Sequence, residues 1–150
     1  MHITTIRDSE FKDYLPMIER WIEHHDTTDD AMSDGNKYDV RSIVVENREK
    51  NGIEFMSIND PSPVGIAAHR ENGEYLDGVM LWIEPEYRGS VSLFYVFEEI
   101  LELAKSRGKT GIRFESKVWG NSPEALGFTR AGTKSDGAET VCTWQKNVEA

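Results

Sequence analysis

The chain has 150 residues, 38 % of them hydrophobic and 29 % charged, with a formal net charge of −10. That length buries a core as one domain without disulfides or metal, and no stretch approaches the roughly eighteen apolar residues of a membrane span. The charge opposes binding to DNA or RNA backbones and leaves a basic partner, or plain solubility, as its meaning. The first ten residues lack an apolar signal-peptide core, so a cytosolic location is expected. Cys142 is the only cysteine. It allows no internal disulfide or Cys-x-x-Cys site, and the alternation of "TVCTW" packs it in a strand.

In chain order, "HITTIR" reads as a short strand with Ile3 and Ile6 inward. Ser9 is placed to cap the next helix. Phe11, Tyr14, Leu15, Ile18, Trp21 and Ile22 recur there at helical spacing. Pro16 either kinks that helix or marks the start of its ordered part. Residues 24–37 are polar, acidic and Gly-containing, hence a loop. Residues 38–52 read as a second helix ended by Gly52. From Ile53 the period becomes two. Strands are expected at 53–58, 64–70 and 75–85, with turns at "NDPSP" and "ENGE" and a stop at Pro85.

A longer helix follows, with an apolar stripe of Leu93, Phe94, Phe97, Ile100, Leu101 and Ala104 and a stop at Gly108. "GIRFES" is the next strand. A strand–helix–strand crossover of that length implies a right-handed parallel pair. "VWGNSPEALGF" is a loop with one helical turn, and "FTRAGTK" and "ETVCTWQK" form a last hairpin. The order β-α-α-β-β-β-α-β-(short α)-β-β makes an α/β (α+β) sheet of mixed direction with one parallel crossover near its middle.

Histidines at 24 and 25, with Asp26, Asp29 and Asp30, invite a metal reading. Adjacent helical residues point about 100° apart, however, and no second ligand pair has site-like spacing. Trp21, Trp82, Trp119 and Trp144 read as core aromatics, with Trp82 also placed to line an acceptor pocket.

Three stretches, in this order, resemble the GNAT-type N-acyltransferases. "IEPEYRGS" resembles the family's entry to its pyrophosphate loop. The apolar helix followed by "GKTGIRFES" resembles the next helix and strand. "NSPEALGFTRAG" resembles the end of the acyl-CoA region. With the opening "ITTIRDSEFKDYLPMI", the likeness spans nearly the whole chain as one domain. It implies a mostly antiparallel central sheet with helices on both faces. It also implies acetyl-CoA as co-substrate, an amine as acceptor and direct transfer with a carboxylate general base.

Carried onto this chain, the resemblance puts the pyrophosphate at Arg88, Gly89, Ser90, Val91, Ser92 and Leu93. A helix N-terminus there offers unpaired N–H groups and a positive dipole end. The family's turn is usually Arg/Gln-x-x-Gly-x-Gly/Ala, and its later glycines are missing here. This marks a degenerate member. Main-chain groups of Leu81, Trp82 and Ile83 would pair with the pantetheine arm, which requires the "VMLWI" and "IRFES" strands to splay. Asn121 matches the Asn that contacts the cofactor arm, or it caps the short helix. Asp77, counted onto a face with Val79, Leu81 and Ile83, matches the catalytic carboxylate. Glu74 and His69 are alternatives. The family's usual Tyr acid falls at Pro123 and is absent.

Two functions remain. One is an acetyl-CoA-dependent N-acetyltransferase whose cationic acceptor is drawn by the acidic residues of 26–34, Glu74, Asp77 and Glu84. The alternative is an inactive protein of the same fold that binds a basic protein on that acidic face.

Overall fold

A computed structural model of the protein describes residues 2–28, 40–117, 122–136 and 139–149. Among these, seven strands form one sheet: β1 (His2–Thr5), β2 (Glu54–Asn59), β3 (Pro63–Asn72), β4 (Tyr75–Ile83), β5 (Gly111–Lys117), β6 (Thr129–Asp136) and β7 (Glu139–Asn147). Their spatial order is β1-β2-β3-β4-β5-β7-β6. Helix α1 (Phe11–Thr28) covers one face and α2 (Leu93–Ser106) the other, and α3 (Ser122–Ala125) is a single turn before β6. The expected mixed, mostly antiparallel sheet with helices on both faces is therefore present. Its one parallel contact is β4 with β5.

The alternation of apolar residues divides the core in two. Met56, Ile58, Ala67, Leu76, Ile83 and Ile112 pack beneath Val96, Ile100, Leu101 and Ala104 of α2. Phe55, Ile66, Ala68, Met80 and Trp82 pack beneath Ile18, Trp21 and Ile22 of α1. Each fully buried Ile or Leu contributes roughly 1.5–3 kcal/mol relative to exposure. Cys142 is fully buried in β7 beside Trp144, as its strand pattern implied.

Local details depart from the expectations. Ser9 does not cap α1. A 3-10 turn, Asp8–Glu10, precedes it, and the Arg7 N–H donates to Glu10 Oε1 at 3.2 Å. Pro16 lies inside α1 and does not begin it. Of the second helix expected at 38–52, residues 38 and 39 lie outside the described ones; helix runs over 40–46, its Ser42–Glu46 part a π-turn closed by Asn47 N–H donating to the Ser42 carbonyl, and residues 47–52 are turn. β-Branched Ile43, Val44 and Val45 disfavour a longer helix there. In α2, Leu93 and Phe94 are 37 % and 48 % exposed. They stand in its first turn, above the loop and clear of the sheet.

Two irregularities in β4 shape everything that follows. Ala68 pairs with Met80 but His69 pairs with Gly78, so Val79 is an extra residue in the ladder. Such a bulge puts two consecutive residues on one side and bends its strand. The parallel pairing with β5 then has only three rungs, Tyr75–Gly111, Leu76–Ile112 and Asp77–Arg113. Beyond Asp77 the two strands diverge.

Candidate active site

The divergence opens a cavity of about 310 Å³ that runs through the sheet between β4 and β5. Met56, Ala67, Leu81, Phe97 and Ile100 line it from the α2 side, and Trp21 of α1 reaches it from the other. Its walls are mainly apolar. The titratable side chains in the lining are His69, Arg113 and Glu115. Arg113 is occupied elsewhere, with its Nε donating to Gln145 Oε1 at 3.0 Å and its guanidinium lying 3.8 Å over the Tyr75 ring. Phe97, Phe114 and Phe128 form an aromatic cluster at one end, with centroids 5.0–6.0 Å apart. The splay that the resemblance required is thus in place, and Trp82 and Phe94 do not fill it.

At the open end β4 leads through Glu84 and a 3-10 turn, Pro85–Tyr87, to α2. Ser92 caps α2, its Oγ accepting from Tyr95 N–H. The N–H groups of Ser90 and Val91 both donate to the Tyr87 carbonyl, at 3.0 and 3.1 Å, and the Ser90 hydroxyl joins them. The N–H groups of Ser92, Leu93 and Phe94 have no acceptor among the described residues. Of the six residues singled out from sequence, Ser92 and Leu93 thus keep open N–H groups, Phe94 adds a third, and those of Ser90 and Val91 are taken up within the turn. Val91 does not face it, because its side chain is buried at 8 % exposure in the core below α2. An added Cβ at Gly89 would meet nothing within 4 Å. Arg88 turns back, donating from Nε to the Ile83 carbonyl at 2.9 Å and stacking 4.6 Å over the Trp82 ring. It closes the turn and points away from the start of α2.

The remaining predicted residues separate. Leu81 lines the cavity. Trp82 points to the other face, into the α1 core, where the His24 ring contacts it at 5.4 Å. Ile83 packs with the α2 core at the lip. The bulge at Val79 corrects the facing of Asp77, because Leu81 and Ile83 lie on the α2 side while Val79 and Met80 both lie on the α1 side. Asp77 stands at the last closed rung, with Oδ2 accepting from Asn72 Nδ2 at 2.7 Å. Glu74 lies in the exposed turn beyond the closed end, outside the cavity lining. Glu84, counted from sequence as acidic surface, is buried at 7 % exposure and held by Arg20 of α1, whose Nε donates to its two oxygens at 3.0 and 3.1 Å. Asn121, Trp119 and the acidic residues 29–34 lie outside the described residues.

His69 is the residue the sequence undervalued. It is 3 % exposed, and neither ring nitrogen has a hydrogen-bond partner. Glu54 Oε2 stands 3.8 Å from Nε2, beyond hydrogen-bond reach. Burial holds the imidazole below its ordinary value of 6.5, against the pull of Glu54. Glu54 is itself held below the usual carboxylate range, chiefly by Arg107, which donates to its two oxygens at 2.9 and 2.7 Å. A histidine depressed in the folded state binds its proton more readily when unfolded. Stability should therefore decline as pH falls below about 6.5, by at most about 1.4 kcal/mol per pH unit for one proton. Urea denaturation at pH 7 and pH 5 measures this, and His69→Gln should flatten the slope.

No protein-family model and no curated protein matches the chain. Solved structures do. A structure assigned to the GNAT acetyltransferase family, from Desulfovibrio desulfuricans, matches with TM-score 0.69 at 13 % identity, over 97 % of this chain and 99 % of that one. Spermidine N-acetyltransferase from Vibrio cholerae, solved with CoA and spermine, matches with TM-score 0.68 at 13 % identity, over 97 % and 94 %. Ribosomal-protein-alanine N-acetyltransferase from Brucella melitensis matches with TM-score 0.64 at 16 % identity, over 99 % and 100 %. The chain has the GNAT acetyltransferase fold along essentially its whole length.

Proposed function

We propose that the protein is an acyl-CoA-dependent N-acyltransferase that moves an acetyl group from CoA to an amine. The observation that carries this reading is the three-rung parallel pair opening into a 310 Å³ cavity at the foot of a capped helix. An extended pantetheine arm fits such a gap because Leu81 to Ile83 have no β5 partners, which leaves the β5-facing backbone groups of Leu81 to a ligand, while the Ile83 carbonyl is taken by Arg88. The pyrophosphate would lie at Ser92, Leu93 and Phe94, whose N–H groups converge at the positive end of α2. The solved relatives include one bound to CoA and a polyamine, which favours a cationic amine as acceptor. Asp77, at the last rung before the gap but outside its lining, would add negative charge nearby. The open cavity speaks against the inactive-scaffold alternative, which expects the gap to be filled.

Calorimetric titration of acetyl-CoA into the purified protein tests the reading, with Gly89→Trp as control. The open space around Gly89 lets an indole fit without disturbing the fold and overhang the helix start. Micromolar binding that the control loses, at unchanged melting temperature, is the expected result. No heat at millimolar acetyl-CoA would sink it.

A further inference from the structure

We propose that His69 is the proton acceptor for the acceptor substrate's amine, a role that rests on the acyltransferase reading above. Burying an imidazole with two unsatisfied nitrogens costs free energy that an apolar residue would avoid. This one lies in the wall of the cavity, where a ligand would supply the missing partner. Its cross-strand neighbour is Gly78, which is exposed and carries no side chain to screen the ring from the gap. An added Cβ there would come within 3.3 Å of Phe114 Cβ, so any side chain would begin to close the gap.

The surroundings orient the ring. Glu54 on β2 faces Nε2, and its carboxylate favours the tautomer with the proton on that nitrogen. Arg107 at the end of α2 fixes Glu54 through two hydrogen bonds. Glu71 on β3 holds Arg107 at 3.3 Å and Lys109 at 2.9 Å, so both cations are neutralised on the side away from the cavity. On β5, Arg113 is tied to Gln145 and Glu115 lines the cavity. On β4, Asp77 bonds Asn72. The Nδ1 lone pair is left as the acceptor. Glu54 and Arg107 are positioning residues.

The step balances as follows. An ammonium entering at Gly78 gives one proton to Nδ1. The freed amine nitrogen attacks the thioester carbonyl carbon, and the C–S bond breaks. The CoA sulfur leaves with the electron pair and takes a second proton from the nitrogen. His69 returns its proton to water. Ammonium and thioester become amide, thiol and one proton.

The full chain is assayed with acetyl-CoA and a panel of primary amines, beside His69→Gln. The variant should bind acetyl-CoA as the wild type does and hold its KM within about threefold. It should lose about 10²- to 10⁴-fold in kcat. The wild-type acid limb of kcat/KM, falling below pH 6.5, should vanish with it. A variant that keeps kcat and the acid limb overturns the role. If acetyl-CoA does not bind the wild type, the underlying reading falls and this one with it. If it binds, histidine-labelled wild type gives a reading that needs neither turnover nor a substitution. The His69 ring signals should shift when amine is added to the acetyl-CoA complex, and signals that stay fixed overturn the role.

Discussion

Ala67→Phe should abolish acetyl-CoA binding while leaving the protein folded. Ala67 is 3 % exposed on β3, opposite Leu81, and lines the cavity on its α2 side. A phenyl ring there would grow into open volume bounded by Met56, Leu76 and Ile100. Overpacking ordinarily costs about 1–3 kcal/mol because neighbours must move. Here the space exists, so the melting temperature should hold or rise. A ligand that needs the same volume would be displaced. A loss on the order of 100-fold in affinity, equivalent to about 2.7 kcal/mol, is the expected size. Calorimetry and a thermal scan on the same sample decide it. Wild-type affinity in a folded Ala67→Phe would mean that the acyl arm lies elsewhere.

Gly65→Val should have the opposite signature, a large loss of stability. Gly65 pairs with Ile83 in the centre of the sheet. A Cβ at position 65 would lie 2.6 Å from the Trp82 carbonyl oxygen and 2.8 Å from Ile83 Cδ1. The first contact is backbone and has no rotamer to escape into. Either the β3–β4 ladder bends or the pairing breaks. A cost of about 3 kcal/mol or more is expected from urea denaturation. Because Trp82 and Ile83 lead directly into the turn before α2, acetyl-CoA affinity should fall too. Gly65→Val with near wild-type stability would show that β4 has freedom to move that the packing denies.

Much of this architecture was legible because it rests on periodicity. The switch from helical spacing to alternation at Ile53 and the stripe of Ile100, Leu101 and Ala104 are solvation patterns, and solvation is written residue by residue. The departures have different causes. Leu93 and Phe94 match the stripe by spacing, yet a helix that starts beyond a sheet's edge has nothing for its first turn to cover. The bulge at Val79 leaves no mark in "DGVMLW", since one extra residue preserves the composition while inverting every face before it. That inversion moved Asp77 away from Leu81. His69 sat in plain view in "VGIAAHR", the last of a run of buried strand positions. Its burial depends on α2 and β2, which are distant in sequence. The signal available was its place beside two alanines, where small neighbours leave a ring room.

The three shared rungs also divide the sheet mechanically. The meander β1–β4 and the group β5–β7 are each zipped by long antiparallel ladders, whereas only Tyr75–Asp77 with Gly111–Arg113, and the Thr110 N–H donating to the Glu74 carbonyl, join their backbones edge to edge among the described residues. Any widening of the cleft should pivot on those rungs and strain the core shared under α2 before either ladder unzips. Amide hydrogen exchange should register this as early loss of protection along the outer part of β4. A ligand lying in the gap would stitch the two halves into a single cooperative unit.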